Sequence, residues 1–208
     1  MSGKKIAIIN YGMGNLNSVR NAFSLLGATP VVTDEPQEIE DAAALVLPGV
    51  GAFGEAISNL RQLGLVDLLT RRVIEKKVPF LGICLGMQLL AESSTENGVH
   101  QGLGWIKGAV VKLEGGEGIM LPHVGWNNVS VRESEPVFLN ILNESDFFFD
   151  HTFHLQADDS DVVGTCSYGQ RVVAAIRHDN IIATQFHPEK SQSNGLRILR
   201  NFLNFALG

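Results

Sequence analysis

The sequence predicts an α/β fold: a mixed, centrally parallel sheet flanked by helices, with an antiparallel β region added in the second half. Three observations lead there. In the first half, short apolar runs alternate with segments of helical period, the pattern of a parallel sheet covered on both faces. In the second half, strand-like runs follow one another across short turns, which suits antiparallel pairing. Between the halves, the apolar run at 78–83 leads straight into Gly82-Ile83-Cys84-Leu85-Gly86-Met87-Gln88. A strand that turns this sharply into a helix needs small residues beside the turn, because a Cβ there would clash.

The elements follow in order. Residues 6–10 form a short apolar run fitting a central strand. Leu16, Val19, Phe23 and Leu26 recur at helical spacing, with Gly27 at the position after the cap. Strands are predicted at 30–33 and 43–47, the second ending at Pro48-Gly49, and helices at 53–63 and 65–76. The strand at 78–83 precedes a helix over 85–91. Strands then follow at 105–113, 128–132, 147–151, 162–167, 171–177 and 181–185. Gly115-Gly116 and Tyr168-Gly169-Gln170 serve as turns. Ser193 is placed to cap a last helix whose Leu196, Leu199, Phe202, Leu203 and Ala206 form one apolar face. Residues 1–208 read as one domain, without linker, repeat or low-complexity stretch.

Composition narrows the function classes. The chain of 208 residues is 45% hydrophobic and 18% charged, ordinary for a soluble globular protein. A net charge of −6 disfavours nucleic acid as a partner. The two cysteines, Cys84 and Cys166, have neither zinc nor redox spacing, and Cys166 sits in a strand as packing. His100, His154 and His178 show no ligand spacing with other residues, so no metal is assigned. Residues 1–5 lead straight into a strand. The apolar run that follows is too short for a signal sequence or membrane span, so the chain reads as cytoplasmic.

Cys84 carries the chemistry. At the apex of a strand–turn–helix its side chain is presented as in a nucleophile elbow, with a thiol in place of a hydroxyl. A helix N-terminus after it favours the thiolate. A thiol nucleophile needs a base, and the base needs an acceptor that fixes its tautomer. Gln185-Phe186-His187-Pro188-Glu189-Lys190-Ser191 offers both, His187 as base and Glu189 as acceptor, two residues apart in an extended segment stiffened by Pro188. Oxyanions formed on the way need preorganised N–H donors. Leu85 supplies one, and the loop Gly49-Val50-Gly51 after the third strand supplies another, from either Val50 or Gly51. Gln88, one helical turn beyond Cys84, either faces the same cleft or is solvated. Glu92, one turn further, either meets a substrate ammonium or is a surface carboxylate. Gly12-Met13-Gly14-Asn15-Leu16-Asn17 mimics a dinucleotide fingerprint, but Asn17 replaces its third glycine, and no cofactor is assigned to it.

The elbow and the Gln185-Phe186-His187-Pro188-Glu189 segment resemble the class I (triad) glutamine amidotransferases. With Asn10-Tyr11-Gly12-Met13-Gly14-Asn15, Leu47-Pro48-Gly49-Val50-Gly51-Ala52-Phe53-Gly54 and Pro122-His123-Val124-Gly125-Trp126-Asn127, the chain resembles, over nearly its whole length, the glutaminase subunits of imidazole glycerol phosphate synthases. The resemblance implies a flavodoxin-like sheet and a Cys84–His187–Glu189 triad. It further implies glutamine contacts from Gln88 and from the main chain of Thr152 and Phe153, with no cofactor. It also implies a heterodimer partner, a (β/α)₈ cyclase subunit, met by Asn15, His123, Trp126 and Lys190. The cyclase would use the ammonia to make imidazole glycerol phosphate and an aminoimidazole carboxamide ribotide. Where such subunits read Tyr-Phe-Val-His-Ser/Thr-Tyr, this chain has Phe148-Phe149-Asp150-His151-Thr152-Phe153. Asp150 there either pairs with a basic group across an interface or faces water. Two other readings stand beside this one: a paralogous glutaminase supplying ammonia for amidino sugars of surface polysaccharide, and a stand-alone γ-glutamyl thiol hydrolase.

Overall fold

A computed structural model describes residues 5–116, 118–132 and 134–208, so the first four residues of the N-terminal reading lie outside the described residues. In chain order the elements are β1 (Lys5–Ile9), α1 (Leu16–Leu25), β2 (Thr29–Thr33), α2 (Pro36–Asp41), β3 (Ala44–Gly49), α3 (Phe53–Gln62), α4 (Leu65–Thr70), β4 (Phe80–Cys84) and α5 (Leu85–Gln88). There follow β5 (Ser93–Ser94), β6 (His100–Gln101), β7 (Gly108–Lys112), β8 (His123–Val131), β9 (Ser145–His151), β10 (Phe153–Ala157), β11 (Val162–Ser167), β12 (Arg171–His178), β13 (Ile181–Thr184) and α6 (Gln192–Leu207).

A nine-stranded sheet runs in the order β2-β1-β3-β4-β13-β12-β11-β8-β9. Its first five strands pair in parallel and the remainder antiparallel. The parallel strands need cover on both faces, and they have it. Val19 and Phe23 of α1 pack with Leu199 and Phe202 of α6 under one face. Phe53, Ile57 and Leu60 of α3 and Leu69 of α4 cover the other. A four-stranded sheet, β10-β7-β5-β6, stands beside it.

Several elements depart from the sequence reading. The pattern over 65–76 is helical throughout but changes from α to a wider π turn at Arg71–Glu75. α2 and β10 carry too little periodicity to be read, with six and five residues respectively. β8 starts at His123, ahead of the predicted 128. Its Val124, Gly125 and Trp126 pair with Asp150, Phe149 and Phe148, a partnership visible only in three dimensions. The last helix is capped at Ser191, and Ser193 lies inside its first turn. The Ser191 hydroxyl does not cap by side chain; it donates to the His187 carbonyl at 2.6 Å and accepts from Phe148 N–H at 3.0 Å.

Candidate active site

The site forms at the carboxyl ends of β3 and β4, where ligands of open α/β sheets sit. Their register pairs Gly49 with Cys84, which brings the loop after β3 level with the elbow. Cys84 has φ 54° and ψ −108°, a conformation that costs a non-glycine residue about 1–3 kcal/mol. The elbow closes only because its neighbours lack side chains. A Cβ on Gly86 would run into the Leu47 carbonyl oxygen, and one on Gly49 into the Tyr11 hydroxyl. The helix after Cys84 ends at Gln88, not at 91 as the sequence predicts, because residues 89–91 tighten into a turn that links to β5. So short a helix contributes little macrodipole, and the thiol depends on its side-chain neighbours instead.

His187 follows β13 and is held from three directions. Its N–H donates to the Phe148 carbonyl at 2.9 Å, its own carbonyl accepts from Ser191, and its Nδ1 lies 2.8 Å from Glu189 Oε1. Both partners are buried, with side chains 2% and 1% exposed. Since the carboxylate only accepts, Nδ1 carries a proton and Nε2 is the working nitrogen. Burial alone would lower the proton affinity of this imidazole. The charge and proximity of Cys84, with the hydrogen bond to Glu189 and its charge, outweigh it and raise the pKa to about 10. Among the described residues Nε2 has no hydrogen-bond partner. It is thus within electrostatic reach of the sulfur without being aligned on it, as catalytic pairs often are before a ligand tightens them.

A cleft of about 250 Å³ opens on the sulfur, walled by Val50, Gly51, Leu85, Gln88, Thr152 and Phe153, with Glu96, Asp150 and His151 among its polar residues. Val50, Gly51 and Leu85 are therefore at the wall, and Gly49 lies behind it under Leu85 and Tyr11. Gln88 is buried, and its amide donates to the Phe153 carbonyl at 2.7 Å and to Gln185 Oε1 at 3.0 Å, which leaves its own carbonyl oxygen for the cleft. The Phe153 carbonyl also receives His151 Nδ1–H at 2.8 Å, so both its lone pairs are committed and it shapes the wall.

Glu92 does not reach the cleft. Its carboxylate accepts from Gly108 N–H at 3.1 Å, because α5 stops before the turn that would have carried it to the substrate face. Besides Asp150, the carboxylate at the wall is Glu96, whose Oε2 accepts from Phe53 N–H at 2.7 Å. No helical spacing from Cys84 points to it; a loop places it.

The residues assigned to a partner face divide. Asn15 is exposed and caps α1 through its Oδ1, Trp126 is 48% exposed, and Lys190 is partly exposed. His123 is only 2% exposed. The alternation along β8 turns Val124 and Trp126 outward and His123 inward, where it stacks on Tyr168 and Phe149 with ring centroids 3.9 and 4.7 Å away. Asp150 approaches Lys190 Nζ at 3.9 Å within the chain, in a half-exposed pair worth at most about 1 kcal/mol. Lys190 also lies 5.5 Å above the Phe148 ring.

Cys166 is buried in β11, with its thiol pushed up to about 12 by burial. Among the described residues no cluster of three or more His, Cys, Asp or Glu is placed to hold a metal ion, and no helix is long and apolar enough to cross a membrane. Gly14 packs against Gly49 and the Pro48 carbonyl, bracing the loop over the cleft.

Residues 7–205 match the family described as glutamine amidotransferase class-I. The chain is 47% identical over 197 residues to imidazole glycerol phosphate synthase subunit HisH 1 of Campylobacter jejuni, covering 95% of this chain and 98% of that protein. It is 48% identical over 204 residues to subunit HisH of Geobacter sulfurreducens, with 95% and 97% covered. Among solved structures, PurLQS from Thermotoga maritima superposes with TM-score 0.75 at 18% identity, covering 98% of this chain and 99% of that one. A glutamine amidotransferase from Thermotoga maritima superposes with TM-score 0.66 at 18% identity, covering 99% and 83%. At such identities the structural likeness speaks for the fold.

Proposed function

The chain belongs to the class-I glutamine amidotransferases, and from that premise we propose that it is the glutaminase subunit of imidazole glycerol phosphate synthase. The observation that carries the chemistry is the imidazole of His187: buried, fixed by Glu189 at 2.8 Å, with its pKa raised largely by Cys84. Near-full-length identity to proteins named as subunits of that synthase supports the assignment of pathway.

Cys84 attacks the side-chain carbonyl carbon of glutamine as thiolate. Leu85 N–H and an N–H of the Val50–Gly51 loop receive the oxyanion. His187 Nε2–H protonates the departing nitrogen, the C–N bond breaks, and ammonia leaves a thioester. His187 then takes a proton from water as the water attacks the thioester carbonyl, and glutamate leaves with the thiolate restored. Glu189 holds the imidazolium throughout. Glu96, in place of Glu92, faces the α-ammonium of glutamine, and the Gln88 carbonyl oxygen helps orient it. Ammonia passes to a (β/α)₈ cyclase subunit docked over Asn15, Trp126 and Lys190, in a heterodimer without a cofactor on this chain.

The test is glutamate release by the chain with its cyclase partner and the acceptor nucleotide, together with complementation of a histidine auxotroph. Full activity joined to complementation is the expected result. Glutaminase activity without complementation would assign the chain to an amidino-sugar pathway. Partner-independent cleavage of γ-glutamyl peptides would instead make it a stand-alone hydrolase.

A further inference from the structure

A continuous hydrogen-bonded chain joins strand β8 to the sulfur of Cys84, and its polarity is fixed at every joint. The Phe153 carbonyl can only accept, so His151 Nδ1, 2.8 Å away, carries the proton and His151 Nε2 presents a lone pair. His123 Nδ1, 2.9 Å from that lone pair, must donate, which leaves His123 Nε2 as acceptor. Asn127 Nδ2 donates to it at 3.2 Å and to the Ser167 carbonyl at 3.0 Å. In the other direction Gln88 Nε2 donates to the same Phe153 carbonyl at 2.7 Å and to Gln185 Oε1 at 3.0 Å. Gln185 is thereby oriented with its amide nitrogen towards Cys84 Sγ, at 3.6 Å. Reversing any amide or either imidazole would set two donors or two acceptors face to face.

Gln88, His123, His151 and Gln185 are all buried, whereas Asn127 at the outer end and Phe153 are half-buried. Burial pushes His123 down to about 4. It pushes His151 down to about 3, helped by the neighbouring histidines against the Phe153 hydrogen bond. Both rings are therefore neutral, as the polarity requires. The outer end of the chain lies on the strand that presents Val124 and Trp126 to solvent.

We propose that Gln185 is a positioning residue for the nucleophile, and that the Asn127–His123–His151–Phe153–Gln88 chain ties the placement of β8 to the sulfur. The proposal rests on Cys84 being the nucleophile and adds a route by which contact at the β8 face reaches it. The route is hydrogen-bonded at each joint and its side chains from His123 to Gln185 are buried, so a shift of β8 is not absorbed midway without opposing like groups.

The test is the rate at which iodoacetamide alkylates Cys84 in the full chain, read by mass spectrometry, with buried Cys166 as internal control and near-UV circular dichroism to certify the fold. Gln185→Met removes the donor to the sulfur and should slow alkylation about tenfold, the loss expected for one hydrogen bond to a charged group. His123→Leu, which touches neither the sulfur nor the cleft, should slow it roughly three- to tenfold by breaking the chain at its middle. Should His123→Leu fail to fold, Asn127→Ala opens the chain at its outer end and carries the same expectation. Folded variants alkylated at the parent rate would overturn the proposal. The readout needs no glutamine. A chain that alkylates as expected yet releases no glutamate with its partner would defeat the glutaminase reading and leave this network standing.

Discussion

Replacing Glu189 by glutamine isolates what the buried carboxylate contributes. In the parent, Glu189 Oε1 accepts from His187 Nδ1 at 2.8 Å, Oε2 has no hydrogen-bond partner among the described residues, and the imidazole is raised to about 10. The amide can sit in two ways. With its oxygen on Nδ1–H, the hydrogen bond survives without the charge, and the new NH₂ occupies the unpartnered Oε2 position. Burying that donor costs about 1–3 kcal/mol of stability. With its nitrogen on Nδ1, the ring is forced into the tautomer protonated at Nε2, which cannot take a proton from the thiol. Either way the imidazolium loses the Glu189 charge while keeping that of Cys84, and the His187 pKa falls. The loss in kcat should be on the order of 10⁴, the cost of a wrong-tautomer histidine in a triad, or about 5.5 kcal/mol in barrier. The assay is glutamate release at saturating glutamine with the cyclase partner present, on protein whose fold is certified by circular dichroism. A folded variant within tenfold of the parent would refute the assignment of Glu189 to the proton machinery.

Further outcomes follow from the same geometry. Cys84→Ala should abolish glutaminase activity, and Cys84→Gly should do the same while unfolding at a higher temperature than Cys84→Ala. The positive φ of the elbow is relieved only by glycine, with a net gain of about 1 kcal/mol after its larger unfolded-state entropy; equal thermal midpoints would speak against strain at the elbow. Gly86→Ala drives a Cβ into the Leu47 carbonyl and should cost more than about 3 kcal/mol, visible as loss of soluble protein or a sharp fall in urea midpoint. Stability should fall on both sides of neutrality. The His187 pKa is raised from 6.5 to about 10, so its contribution is complete below pH 6.5 and is lost as pH climbs towards 10. His123 and His151 are lowered from 6.5 to about 4 and about 3, so their contributions are present above 6.5 and are lost as pH drops through those values. Differential scanning calorimetry across pH checks both limbs, and Cys84→Ala should flatten the alkaline one, since Cys84 heads the interactions that raise His187.

Where the sequence was legible, a local rule sufficed. Gly82 and Gly86 around Cys84 announce a turn that admits no Cβ, and the structure closes the elbow there. The His-Pro-Glu spacing does bring an imidazole against a carboxylate, but through a 3-10 turn over Pro188–Lys190 and not the extended segment the sequence predicts, since proline is well suited to the first turn of a helix. Extrapolation failed where a period was carried past the end of its element. Glu92 lies on the helical face projected from Cys84, but α5 makes a single turn, and Glu96 takes the place at the wall from a loop. His123 sits in a motif that invites a surface reading, yet strand alternation turns it inward against Tyr168 and Phe149.

The sequence by itself carried the reading of Cys84 as nucleophile with His187 and Glu189 as base and acceptor, and it announced the parallel half of the sheet, because elbow, His-Pro-Glu segment and strand–helix alternation are each written in short local patterns. Only the tertiary structure decided that Glu96 meets the cleft, that Asp150 turns to Lys190, and that Gln185 reaches the sulfur. Those contacts join strands and loops distant along the chain, and their partners are chosen by sheet register and by the need of buried polar groups to find one another.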